Sequence, residues 1–131
     1  MILIDYEIKN SVIHGSGMFT KQDIKKDELI AKASPELDVD IPPHVFDTLE
    51  EKEKAEILYW GFYDEPRELY HVDFDSTKFI NHSRDGNITQ DETYQDMYLI
   101  AKRDIHKGEE LTQNYLEFES EEDLLARGII K

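Results

Sequence analysis

The chain has 131 residues, a length that suits one domain of roughly 100–150 residues, and we read 1–131 as a single domain. It contains no cysteine, which excludes disulfides, thiolate nucleophiles and zinc sites built on sulfur. Thirty acids against 15 bases give a formal net charge of −15, which repels nucleic-acid phosphates and anionic lipid and attracts cationic partners. There is no apolar run near the ~20 residues that span a bilayer and no basic-start signal peptide, so a soluble, intracellular chain without membrane contact is expected.

In chain order, Ile4, Tyr6 and Ile8 alternate with Asp5 and Glu7, the period of a half-buried strand. His14-Gly15-Ser16-Gly17-Met18-Phe19 follows; its two glycines permit positive φ and close main-chain approach to a ligand, although a simple turn explains them as well. A short strand is predicted at Glu28–Ala31. From Glu36 to Asp75 the composition shifts to 13 acids against 3 bases, with Pro42-Pro43 and the aromatics Tyr59, Trp60, Phe62, Tyr63 and Tyr70, so this stretch reads as an insert at about 36–75. Within it Asp47 and Glu50 have the spacing of a capping box and predict a helix over about Thr48–Leu58, with Leu49 and Ile57 inward. Strands are predicted at Tyr70–Phe74, Asn87–Thr89 and Met97–Ala101. Ser120 caps a brief helix through Arg127 that Gly128 stops. The class is mostly β with short helices.

Residues Phe19–Ile30 recur 81 positions later as Ile100–Leu111, with Lys21/Lys102, Asp23/Asp104, Ile24/Ile105, Lys26/Lys107 and Glu28/Glu109 identical. Each copy has an apolar strand end, an Asp-Ile step and a polar turn before the next apolar pair, which suggests two similar small sheets.

Phe79-Ile80-Asn81-His82-Ser83 delivers three hydrogen-bonding side chains just before the turn Arg84-Asp85-Gly86. Asn81 and Ser83 can stabilise that turn and His82 can be a satisfied interior residue. A serine hydrolase is excluded, because Ser83 adjoins His82 and no nucleophile elbow is present. The glycine loop lacks the third glycine and following helix of a dinucleotide cradle. His14, His44, His71, His82 and His106 share no ligand spacing, so no metal site is expected.

Together with Gly108-Glu109-Glu110-Leu111-Thr112-Gln113-Asn114-Tyr115, these segments resemble the SET-domain protein lysine methyltransferases. The glycine loop resembles theirs; Lys78–Ser83 resembles their R-F-I-N-H-S; Ala101–Tyr115 resembles their A-x-R-D-I-x-x-G-E-E-L-T-x-D-Y. The resemblance covers about Ser11–Tyr115, with the acidic insert where the family places its variable, substrate-facing segment.

The resemblance implies a SET-type fold of several small sheets with a knot-like C-terminal crossing, and S-adenosylmethionine as cofactor, with S-adenosylhomocysteine as product. Carried over by position, Gly15, Ser16, Gly17 and Met18 hold the cofactor's methionine end and Asn81 and His82 its adenine and ribose side. Tyr115 is the tyrosine of the methyl-transfer centre, and Phe118 packs on the adenine. Tyr59 and Trp60 are candidates for the lysine channel, and Gln113 faces it. The partner implied is a basic protein or peptide, with a histone among the candidates, bound by a monomer or homodimer. The alternative is a catalytically silent SET-like module that binds a basic peptide or the cofactor. The chain departs from the family where C-x-P-N becomes Arg84-Asp85-Gly86-Asn87, at Gln113 where Phe or Tyr is common, and at Asn114 in place of aspartate.

Overall fold

A computed structural model describes residues 1–91 and 98–131, which divide into two compact units: Met1–Ser34 with Asp75–Asn114, and Pro35–Phe74 with Tyr115–Lys131. The first unit opens with an antiparallel hairpin of β1 (Tyr6–Asn10) and β2 (Ser16–Thr20), closed by Ser11 N–H donating to the Gly15 carbonyl at 2.8 Å. Gly15 sits there at φ +44°, the left-handed region that favours glycine. The predicted alternation holds only in part: Ile4 is buried and Tyr6 half-buried, but Ile8 is exposed.

The duplicated segments do not build two similar sheets, as the repeat suggested; they pair with each other. Ile24 and Ile105 exchange two main-chain hydrogen bonds of 2.8 Å, and both side chains are buried. The Asp23 carboxylate accepts from Lys107 N–H and the Asp104 carboxylate from Lys26 N–H, each at 2.9 Å, so equivalent residues serve each other reciprocally. The equivalent positions Asp27 (φ 71°) and Gly108 (φ 95°) both adopt the left-handed turn conformation. An aspartate is among the few side chains that tolerate it.

Beside this crossing lies a five-stranded sheet. Its order is β3 (Leu29–Lys32), β9 (Tyr98–Ala101), β8 (Ile88–Gln90), β10 (Thr112–Gln113) and β7 (Asn81–His82). Strands β3, β9 and β8 pair antiparallel, whereas β10 runs parallel to both its neighbours. The predicted strands at 28–31, 87–89 and 97–101 correspond to β3, β8 and β9, Met97 lying outside the described residues. Met18, Ile24, Ile30, Ile88, Ile105 and Leu111 form the centre of this unit's apolar core.

The late strand β10 is thus slotted between two earlier ones, which gives the expected knot-like crossing a local cause. The Asn87 side chain donates to the Glu110 carbonyl (2.8 Å) and accepts from Thr112 N–H (2.9 Å), standing in for a strand on the incoming chain. A Cβ at Gly86 would lie 2.8 Å from the Thr112 carbonyl and 2.9 Å from Gln113 Cα, so only glycine lets the backbones approach this closely. Of the family's C-x-P-N turn this chain keeps only the asparagine, and the structure shows what that residue does.

In the second unit, β4 (Val39–Ile41), β6 (Leu69–Val72) and β5 (Phe62–Asp64) form an antiparallel sheet in the order β4-β6-β5. The predicted strand at 70–74 corresponds to β6, shifted by one residue at its start. Pro43 starts a single helical turn, α1 (Pro43–Phe46), whose Phe46 stacks on Tyr70 with ring centroids 3.7 Å apart. That turn takes up Asp47, Thr48 and Leu49, so the predicted helix begins later, as α2 (Glu51–Trp60). Its capping box is formed by Glu50 and Glu53 rather than by Asp47 and Glu50. Helix α3 (Glu121–Ala126) matches the sequence reading: Ser120 accepts from Asp123 N–H, Arg127 is the C-cap, and Gly128 follows at φ 73°.

Within the insert, His71 is buried between two carboxylates, with Nδ1 at 2.5 Å from Asp40 and Nε2 at 3.0 Å from Asp73; Asp38 lies 3.7 Å from Nε2 and Arg67 3.0 Å from Nδ1. Burial opposes a charged imidazole, but the hydrogen bonds to Asp73 and Asp40 outweigh it and raise its pKa to about 9. Asp38, His71 and Asp73 present ligand atoms within 4.8 Å of one another, a juxtaposition that chain spacing did not reveal. In this arrangement the imidazolium and the Arg67 guanidinium, whose Nη1 lies 3.3 Å from Asp40, face the carboxylates together.

Gly86→Ala and Asn87→Ala should each destabilise the protein by about 1–3 kcal/mol, the first by overpacking backbone and the second by orphaning Thr112 N–H and the Glu110 carbonyl, read as a lowered urea midpoint. His71, with its folded pKa of about 9 above its ordinary 6.5, contributes stability that is complete below pH 6.5 and lost as pH rises through 9. The melting temperature should therefore fall between pH 6.5 and 9.5, and His71→Asn should flatten that slope.

Candidate functional site

In the first unit, all three sequence motifs meet at one atom. The Asn81 carboxamide Nδ2 lies 3.1 Å from the His14 carbonyl, 3.1 Å from the Ser16 carbonyl and 2.9 Å from Glu110 Oε1. Those partners come from the glycine loop and from the Glu-Glu-Leu-Thr segment, 67, 65 and 29 residues away in the chain. Ser11 Oγ completes the arrangement by donating to the Glu110 carboxylate at 2.8 and 2.9 Å. An amide nitrogen has two hydrogens, so three acceptors around it leave acceptor capacity unused. The result is an anionic, acceptor-rich cradle beside the loop, suited to a ligand that brings N–H groups and positive charge.

Glu110 and Ser11 were not among the residues singled out from the sequence. The signal available was the Glu-Glu-Leu-Thr motif itself, which carries a carboxylate into the interior edge of the fold. Gly17 proves constrained by that same residue. A Cβ there would lie 2.1 Å from Glu110 Oε1 and 3.0 Å from Ser11 Cβ, and Gly17 does not have positive φ. Its small size admits the carboxylate rather than relieving backbone strain. Ser16 is exposed, and Met18 is buried in the core with its main chain paired to Ile8.

His82 and Gln113 are neighbours across the β7–β10 register. Burial and then the charge of Arg84 hold His82 below its ordinary pKa, a hydrogen bond to the Gln113 main chain opposing them, so the imidazole is neutral near pH 7. Gln113 is buried.

In the second unit, Tyr115 opens a single 3-10 turn over Tyr115–Glu117. Burial pushes its hydroxyl well above the usual phenol range, so Tyr115 is a protonated phenol throughout the physiological range. Its ring lies 5.3 Å from that of Phe118, and Phe62 of β5 packs on Phe118 at 4.4 Å. Phe62, named only as one of the insert's aromatics, is the residue that brings β5 to this cluster. Tyr59 and Trp60 meet each other edge-on at 4.8 Å at the end of α2, with Trp60 Nε1 donating to Glu56 at 3.2 Å. Tyr59 is exposed.

Comparisons with known proteins bear on this arrangement. The SET domain family model matches residues 15–116. A curated relative, the variant-silencing SET domain-containing protein of Plasmodium falciparum (isolate 3D7), is 34% identical over 125 residues. That match takes in 85% of this chain and 5% of the relative's own length. The crystal structure of a Plasmodium falciparum protein described as a candidate histone methyltransferase superposes with a TM-score of 0.59 at 21% identity, covering 87% of this chain and 95% of that one. The motif spacing, the slotted strand β10 and the family match agree, and the chain belongs to the SET domain family.

Proposed function

We propose that this chain is an S-adenosylmethionine-dependent protein-lysine N-methyltransferase acting on a basic protein, such as a histone. Family membership supports a methyltransferase role. The observation that carries the finer reading is the convergence of the glycine loop, Asn81 and Glu110. The methionine end of S-adenosylmethionine carries an ammonium group, and the cradle offers the Glu110 carboxylate and the His14 and Ser16 carbonyls as acceptors for it. Gly15, Ser16, Gly17 and Met18 would line the methionine end, with Asn81, His82 and Phe118 contacting the rest of the cofactor.

The cofactor supplies an electron-poor methyl group on a sulfonium, so the protein needs neither metal nor covalent intermediate for this transfer. It has to hold a neutral amine on the axis of displacement. A free lysine of pKa about 10.4 is protonated at pH 7, and neutralising it costs about 4.6 kcal/mol. Removing the amine from water offsets part of this. Tyr115, kept protonated by burial, would offer an O–H dipole for orienting the reacting groups. We assign Gln113, Tyr59 and Trp60 to the lysine side, where Gln113 in place of Phe or Tyr bears on how many methyl groups are added. The exposed carboxylates of Glu50, Glu51, Glu53 and Glu56 on and beside α2 would draw in a cationic peptide.

The reading is tested with labelled S-adenosylmethionine and a panel of histones and other basic proteins: label transferred to lysine supports it, and cofactor binding without transfer to any of them favours the silent module. Tyr115→Phe should slow single-turnover transfer by roughly 10²–10³ while changing cofactor affinity much less, since it removes one oxygen and keeps the ring. Glu110→Gln should weaken cofactor binding by about tenfold or more in calorimetry, because a charge-assisted hydrogen bond becomes a neutral one. Raising salt from low to several hundred millimolar should raise KM for a lysine-rich peptide with little change in kcat.

A further inference from the structure

The turn that begins at Tyr115 ends on a buried carboxylate. The Tyr115 carbonyl accepts from Phe118 N–H (3.0 Å) and Glu119 N–H (2.8 Å), so the position of Glu119 fixes the turn. The Glu119 side chain is withdrawn completely from solvent; its Oε1 accepts from Arg127 Nη1, and its Oε2 has no hydrogen-bond partner among the described residues. Arg127 is the C-cap of α3, its N–H bonded to the Asp123 carbonyl. A buried carboxylate ordinarily uses both oxygens, and a bare one is costly. The charges of Arg127, Glu119 and Asp73 all reach the Tyr115 hydroxyl.

We propose that Glu119 is the positioning residue for Tyr115: its ionised form, drawn onto Arg127, clamps the 115–119 turn to the end of α3, and a proton on its bare oxygen loosens that clamp. The inference rests on the reading of Tyr115 as the residue of the transfer centre. Burial raises the Glu119 carboxyl to about 7, with Arg127 opposing and Asp123 adding to the rise, so the clamp changes state within the working pH range. The groups of α3 that act on Glu119 are Arg127 and Asp123, and Asp73, following β6, acts on Tyr115.

The test follows the Tyr115 ring by NMR of tyrosine-labelled protein from pH 5.5 to 8.5, together with single-turnover methyl transfer to a histone at saturating cofactor. In wild type the Tyr115 resonance should move with a midpoint near neutrality, and in Glu119→Gln that movement should vanish. The ratio of wild-type to E119Q transfer rates, in which ionisation of the substrate lysine cancels, should rise about five- to tenfold between pH 6 and 8 with cofactor affinity unchanged. Arg127→Gln, which removes the opposing cation, should raise the midpoint, and this variant keeps the inference testable if E119Q folds poorly. A Tyr115 signal that titrates unchanged in either variant, or a rate ratio constant with pH, would overturn it. A Tyr115 signal that follows Glu119 in a protein that methylates nothing would uphold the positioning role and overturn the enzymatic reading.

Discussion

The structure depends on one insertion: the strand Thr112–Gln113 enters between Asn81–His82 and Ile88–Gln90 and hydrogen-bonds to both. Two-residue strands have little stability of their own, so the slot must be prepared for them. Gly86 vacates the space, the Asn87 side chain supplies one donor and one acceptor, and Arg103 steadies the turn by donating to the Gly86 carbonyl at 3.1 Å. Because β10 is held in this register, Glu110 arrives beside Asn81 and the glycine loop. The same few residues therefore close the fold and assemble the cradle.

Much of this was legible in the sequence because the motifs are local and chemically specific. The Gly-x-Gly turn, the Asn-His-Ser step and the Glu-Glu-Leu-Thr segment each announce backbone turns or polar groups unusual at an apolar strand end. Helix α3 was readable because Ser120, Arg127 and Gly128 sit where helix physics asks for them. The mutual pairing of the two repeats was not, since identity between segments says nothing about whether they stack or separate. Nor was Glu110: a glutamate in an acid-rich chain looks solvated until the chain crossing shows that Ser11 and Asn81 turn toward it. Helix α2 begins later than the Asp47/Glu50 spacing predicts because Pro43 nucleates its own turn and consumes the residues that resemble a cap.

The insert's acidity also divides in a way composition conceals. Asp38, Asp40, Asp64 and Asp73 gather around His71 and Arg67, and Arg67 Nε lies 2.7 Å from Asp64. Those carboxylates are partly neutralised by cations of the insert itself, and through His71 and Arg67 they tie β4, β5 and β6 together. The glutamates of α2 remain in water, where a long-range attraction can act. One stretch of sequence thus supplies both internal ion pairing and surface potential.

The slotted strand also governs the order in which the chain can fold. The contacts that close the first unit are distant in sequence: Lys26 to Asp104 spans 78 residues, Lys107 to Asp23 spans 84, and Ser11 to Glu110 spans 99. Before residues 104–113 are available, Ile24 lacks its partner and the facing edges of β7 and β8 are open, each an apolar or hydrogen-bonding surface that invites association with another chain. Such non-local closure folds slowly, and a nascent chain waits for its late strand with its centre unfilled.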